Sequence, residues 1–162
     1  MATTYDQLET MFFDRIEKDR SFFIYAGLDD SDSMAIARSR ADAYLVEACS
    51  DMMSLCDPVV DFLAMDNNAR QFDFDMTGKE LYLVSSLMYQ KYLERDIAYL
   101  RSLDVNFTTA ELKVFDPSNA RTTYLEMVRY VKEQNERLLE EYRSRDRITG
   151  EWIGADYSES DG

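Results

Sequence analysis

Apolar residues run almost without a break from Leu81 to Tyr89, where only Ser85 and Ser86 interrupt Leu81, Tyr82, Leu83, Val84, Leu87, Met88 and Tyr89. Thr77 and Glu80 stand three positions apart just ahead of this run, which is the spacing of a capping box. A helix is therefore predicted from about Thr77 to Leu103, with other helices around its first half. Lys91, Glu94, Arg95, Asp96 and Arg101 break up the second half, while Tyr92, Ile97, Leu100 and Leu103 keep a narrower stripe, so this end is expected to reach the surface. Leu83, Val84, Leu87 and Met88 are the predicted heart of the core.

The remaining pattern is also largely helical. Leu8, Phe12 and Ile16 recur every four residues behind a Thr4/Gln7 capping box, predicting an amphipathic helix from Tyr5 to about Arg20, and the Phe22 to Tyr25 cluster reads as its end. Asp29 to Ser33 supply caps and negative charge for a second helix over about Met34 to Leu55. Its stripe of Met34, Ala37, Ala41, Tyr44, Leu45, Ala48, Met52 and Leu55 contains small residues that let a neighbouring helix approach closely. Phe72, Phe74 and Met76 alternate with Asp73 and Asp75, the period of an extended strand, and could pair with a second short piece, Leu112 to Phe115. A last helix is predicted from Ser118 to about Arg147. Its seam of Tyr124, Val128, Val131, Asn135, Leu138 and Tyr142 fits one long amphipathic helix on a bundle, with Asn135 near water and Arg143, Arg145 and Arg147 at the negative end of the helix dipole.

The fold class that follows is mainly α: a helical bundle with a long C-terminal helix, one or two short extended segments and a flexible C-terminal tail. Residues 1–149 form one domain, and residues 150–162 form an acidic tail that carries the only tryptophan. A chain of 162 residues buries roughly two-thirds of its surface on folding, enough for one core. The 46% apolar content with five Gly and two Pro excludes collagen-like and low-complexity classes. A net charge of −14 disfavours a broad duplex-DNA or anionic-membrane face. The chain has no apolar run of about 18 residues and no basic segment leading into an apolar one at its start, so a soluble, intracellular protein with no membrane partner is expected. Cys49 and Cys56 lie about two turns, ~10 Å, apart on one predicted helix and read as buried free thiols.

Candidate chemistry is sparse. Asp73-Phe74-Asp75-Met76-Thr77 matches the nucleophile loop of haloacid-dehalogenase-type phosphatases, but polar Asn67 to Gln71 stand where that loop needs a buried strand, so Thr77 reads as a helix cap. Asp73, Asp75 and Gly78 also begin a calcium loop that ends on Val84 where a bidentate Glu is required. With no histidine, the commonest general base is missing. No catalytic, cofactor-binding or metal-binding residue is assigned, and no enzyme is expected.

The order of elements over about Met34 to Arg147, together with Leu87-Met88-Tyr89-Gln90-Lys91-Tyr92-Leu93-Glu94-Arg95 and Tyr124-Leu125-Glu126-Met127-Val128, resembles the head-tail connector (adaptor) proteins of long-tailed bacteriophages. The resemblance implies a subunit without enzymatic activity, located in the virion neck and assembled in the host cytoplasm. Such a subunit forms a homo-oligomeric ring that docks on the portal protein and joins it to a neck or tail-completion protein, while DNA passes through as non-specific cargo. An acidic wall that repels phosphate suits such a channel. The competing classes are an acidic DNA-mimic inhibitor of phage origin and an unassigned protein-binding domain. Placement marks Phe72, Phe74, Met76, Val114, Phe115, Trp152, Ile153 and Tyr157 as candidate partner-interface residues, large apolar groups in extended segments or in the acidic tail.

Overall fold

Five helices and one two-stranded ribbon make up the computed structural model, which describes residues 2–106 and 117–154, with side chains described for 2–96 and 122–154. Helices α1 (Tyr5–Ile16), α2 (Arg20–Phe23) and α3 (Asp30–Cys56) lead into strands β1 (Met65–Asp66) and β2 (Gln71–Phe72), and the long α4 (Gly78–Asn106) and α5 (Pro117–Arg143) follow. The architecture is mainly α, as the periodicity predicts.

Helix α4 is the centre of the bundle. Leu83, Val84, Leu87, Met88 and Leu93 are all buried, and so are Ser85, Ser86 and Gln90 on its other sides, because α1, α3 and α5 each pack on it. The alanines of α3 do what their size allows: Ala37, Ala41 and Ala48 have no exposed surface, so the backbones lie close. Phe12 of α1, Phe22 of α2, Tyr44 of α3 and Tyr92 of α4 meet in one aromatic cluster, with Phe12 centroids 5.7 Å from Phe22, 5.7 Å from Tyr44 and 6.0 Å from Tyr92, all edge-on. Cys49 and Cys56 are buried free thiols, and burial pushes Cys49 up to about 12.

Several expectations are corrected. The Phe22 to Tyr25 cluster is not the end of α1. Helix α1 stops at Ile16, and Asp19 accepts the Ser21 amide at 3.0 Å to start the separate turn α2, which swings Phe22 into the core. On α3 the exposed Met34 and Leu55 are replaced in the buried stripe by Ser33, Cys49 and Cys56. Asn135 is not near water: it is 1% exposed and donates to the Ser86 carbonyl (3.2 Å) and to Gln90 Oε1 (2.8 Å), while the Ser86 hydroxyl donates to its Oδ1 at 2.6 Å. The α5 seam thus packs on α4 with a satisfied polar network in its middle.

The extended segment also finds a different partner. β2 pairs antiparallel with β1 in the register Met65 to Phe72, and the N-terminal residues lie on its other side, with the Phe72 amide donating to the Thr3 carbonyl (2.8 Å) and the Thr3 amide to the Phe74 carbonyl (3.2 Å). Leu112 to Phe115 lie outside the described residues. Local pairing wins because it buries the apolar face: Phe72 has no exposed surface, Met76 is 6% exposed, and Phe74 packs 5.2 Å from the Phe62 ring. Phe72 and Met76 are therefore buried in this chain's own core, and the partly buried Phe74 packs against it.

A buried charge cluster fixes this corner. Glu9 of α1 is 2% exposed and pairs with Arg70, which also holds Asp42 of α3 through Nη1 at 2.8 Å and Nη2 at 3.2 Å. Arg38 stands 3.9 Å from Glu9, and Asp6 3.8 Å from Arg70, so three acids share two guanidinium groups. Burial, followed by the hydrogen bond with Asp42, pushes Glu9 up to about 7. The folded chain thus holds a proton that the unfolded chain has already lost above the ordinary carboxylate range. The stability tied to Glu9 is full below that range and drains away as pH rises towards 7. Unfolding in urea should show wild-type stability falling between about pH 5 and pH 7.5 relative to Glu9→Gln. Parallel pH profiles for the two proteins contradict the buried, shared proton.

Candidate functional site

The N-terminus of α4 meets the C-terminal end of the described chain at the carboxylate of Glu80. The capping box forms as expected, with the Thr77 amide donating to Glu80 Oε2 at 2.7 Å and the Glu80 amide to Thr77 Oγ1 at 3.3 Å. Glu80 has no exposed surface, so its charge needs more than one amide. Arg147 donates through Nε to Oε1 (2.6 Å) and through Nη2 to Oε2 (3.0 Å), and the Tyr142 hydroxyl donates to Oε1 at 2.7 Å. Arg147 also reaches the Asp75 carbonyl and stacks 5.3 Å over the Phe74 ring. Burial first, and the bond to Glu80 second, raise the Tyr142 phenol far above its ordinary value, so it remains a donor.

Arg147 is not at the end of the last helix, as the sequence pattern suggests. α5 stops at Arg143, and residues 144–154 turn back on themselves. Asp146 makes the turn: its Oδ1 accepts the Ile148 and Thr149 amides at 2.9 and 2.7 Å, which holds its carboxyl below the ordinary range. Gly150 follows at φ +73°, a conformation that favours glycine, and its amide closes the turn on the Asp146 carbonyl at 2.9 Å. The two arms then pair, with the Asp146 amide donating to the Glu151 carbonyl (2.7 Å) and the Ile153 amide to the Ser144 carbonyl (2.9 Å). Arg145 sits opposite Trp152, its guanidinium 4.1 Å from the ring centroid.

Between this hairpin, the start of α4 and the end of α5 lies an open groove of about 650 Å³. Tyr82, Leu83, Leu138 and Tyr142 give it apolar walls, and Lys79, Glu141 and Arg145 bring charge to it. Arg145 pairs with Glu141 at 3.3 Å, whereas no ion pair involves Lys79 among the described residues. Large apolar side chains stand out around the groove: Ile148 is 74%, Trp152 66% and Ile153 63% exposed, on a backbone held by the bonds just described. Of the sequence-assigned interface residues, Trp152 and Ile153 are thus presented to solvent, whereas Phe72 and Met76 are buried and Phe74 is partly buried. Val114, Phe115 and Tyr157 lie outside the described residues. Gly150 to Ile153, at the start of the predicted tail, pair in cis with Ser144 to Asp146.

In the phosphatase-like motif Thr77 is engaged in capping Glu80, and Asp73 is exposed. Among the described residues, no three Cys, Asp or Glu side chains gather as a metal site, and no helix is long and apolar enough to cross a membrane. Comparison with protein-family models, curated proteins and solved structures finds no match. The pattern that reveals the site in hindsight is the Asp146-x-x-Thr149-Gly150 turn beside Arg147, opposite the capping Glu80.

Replacing Arg147 with Ala leaves Glu80 buried with only Tyr142 and its own cap to answer its charge. A loss of about 3–5 kcal/mol in urea unfolding is expected. A loss below about 0.5 kcal/mol would mean that the hairpin does not carry the pair.

Proposed function

We propose that this chain is an assembly subunit of the head-tail connector type, forming a homo-oligomeric ring between a portal and a neck or tail-completion component in the virion, with DNA passing through the lumen. The observation that carries the reading is the C-terminal hairpin. Ile148, Trp152 and Ile153 are large and apolar, they stay more than half exposed, and they stand on a backbone fixed by Asp146, Gly150 and the buried Glu80–Arg147 pair. Exposed aromatic and aliphatic groups on a rigid support meet a partner with little ordering cost, which is the property of an interface anchor.

Charge supports the same reading. With a net charge of −14, a lumen lined by this protein would repel phosphates and let DNA slide. A DNA mimic is less well supported, because Arg129, Lys132 and Arg137 are interleaved with Glu126, Glu133 and Glu136 on the exposed face of α5, where a mimic needs an unbroken row of acids. The test is light scattering of the purified protein beside the Trp152→Ala/Ile153→Ser variant. The wild type should give a ring-sized particle. The variant should melt within a few degrees of it yet lose the large species. A variant that assembles as fully as the wild type would end the hairpin's role as an anchor.

A further inference from the structure

The loop after α3 carries a second exposed apolar feature. Val59 is 95% exposed, the most exposed of the large hydrophobic residues described, with Leu55 at 55% and Leu63 at 45% beside it. The tip is not loose. Asp57 turns the chain out of α3 at φ +46°, Asp61 accepts the Leu63 amide at 2.8 Å, and the Phe62 amide donates to Met53 Sδ at 3.3 Å. Phe62 is fully buried, its ring 5.2 Å from Phe74 and 6.4 Å from Tyr142. The result is a firm apolar knob flanked by the exposed carboxylates of Asp57 and Asp61.

We infer that this knob of one copy seats in the groove of the next, with Val59 against Tyr82, Leu83 and Leu138 and with Asp57 and Asp61 facing Lys79. The inference rests on the self-assembly proposed above and names the surfaces that meet. Charge complementarity selects this occupant. In a chain of −14 the groove presents one cation with no ion pair among the described residues, Lys79, since Arg147 is held by Glu80 and Arg145 by Glu141, and the Lys79 ammonium reaches across it to within 4.0 Å of where a Cβ on Gly150 would stand. A partner tip that is apolar in the middle and acidic at its edges fits both features. The knob does not serve its own groove, because Val59 is left 95% exposed while buried Phe62 and the Cys56 Sγ bond to the Leu139 carbonyl (3.5 Å) hold the base of the loop in place. Knob and groove are different patches of one surface, so their union is head to tail, the kind of contact that closes into a ring when the rotation allows.

The test uses Val59→Asp, which spoils the knob alone, and Lys79→Glu, which spoils the groove alone; both positions are exposed, and circular dichroism checks that each variant folds. In sedimentation velocity the wild type should form the large species, each variant alone should remain a monomer, and their equimolar mixture should yield a 1:1 pair and nothing larger. Assembly of either folded variant like the wild type, or failure of the mixture to pair, overturns the knob-in-groove contact while leaving self-assembly standing. A wild type that stays monomeric at every concentration overturns both.

Discussion

A carboxylate with no exposed surface dictates the form of the end of this protein where α4 begins and α5 stops. Glu80 is buried because it caps α4, the helix that every large helix packs upon, and a charge in that position is tolerable only if cations and donors come to it. Arg147 and Tyr142 do so from the end of the described chain. The distance in sequence is large, but the requirement is local, and it converts a polar segment after α5 into a fixed hairpin. The walls of the groove and the stance of Trp152 and Ile153 follow from that one pairing.

The cluster at Glu9 works differently. There three acids share Arg70 and Arg38, and burial with the neighbouring Asp42 pushes the Glu9 carboxyl up to about 7. Glu80 is matched by one arginine in bidentate contact; Glu9 competes for its partner with Asp42. Both clusters tie a helix to an extended piece of chain, which is how a bundle with little sheet positions its loops.

Much of the fold was legible in the sequence. The uninterrupted apolar run from Leu81 and the Thr77/Glu80 spacing located α4 and its cap, and the alanines of α3 announced its close packing. What periodicity could not reveal was which groups would meet across long separations. The alternation of Phe72, Phe74 and Met76 correctly indicated extended chain, but an apolar face looks the same whether its own core or a partner covers it, and Phe62 and the N-terminal Thr3 claim it. Asn135 looked like a surface residue because a single polar position in a seam does not disclose that Ser86 and Gln90 stand opposite. Arg147 looked like a helix-end cation because the turn that redirects the chain depends on Asp146 and Gly150, not on hydrophobic pattern. The exposure of Trp152 was legible through its isolation among acidic residues.

On the proposed reading, the acidic surface, the rigid hairpin and the exposed knob belong to a single design, a subunit whose remaining apolar surface is completed by copies of itself. Hydrogen–deuterium exchange followed by mass spectrometry, run on the wild-type protein at dilute and at high concentration, tests that claim most directly. The account predicts that exchange in peptides covering residues 57–63 and 148–153 slows as concentration rises, while peptides from the interior of α4 are equally protected in both samples. Exchange at both surface segments that does not change with concentration would contradict it.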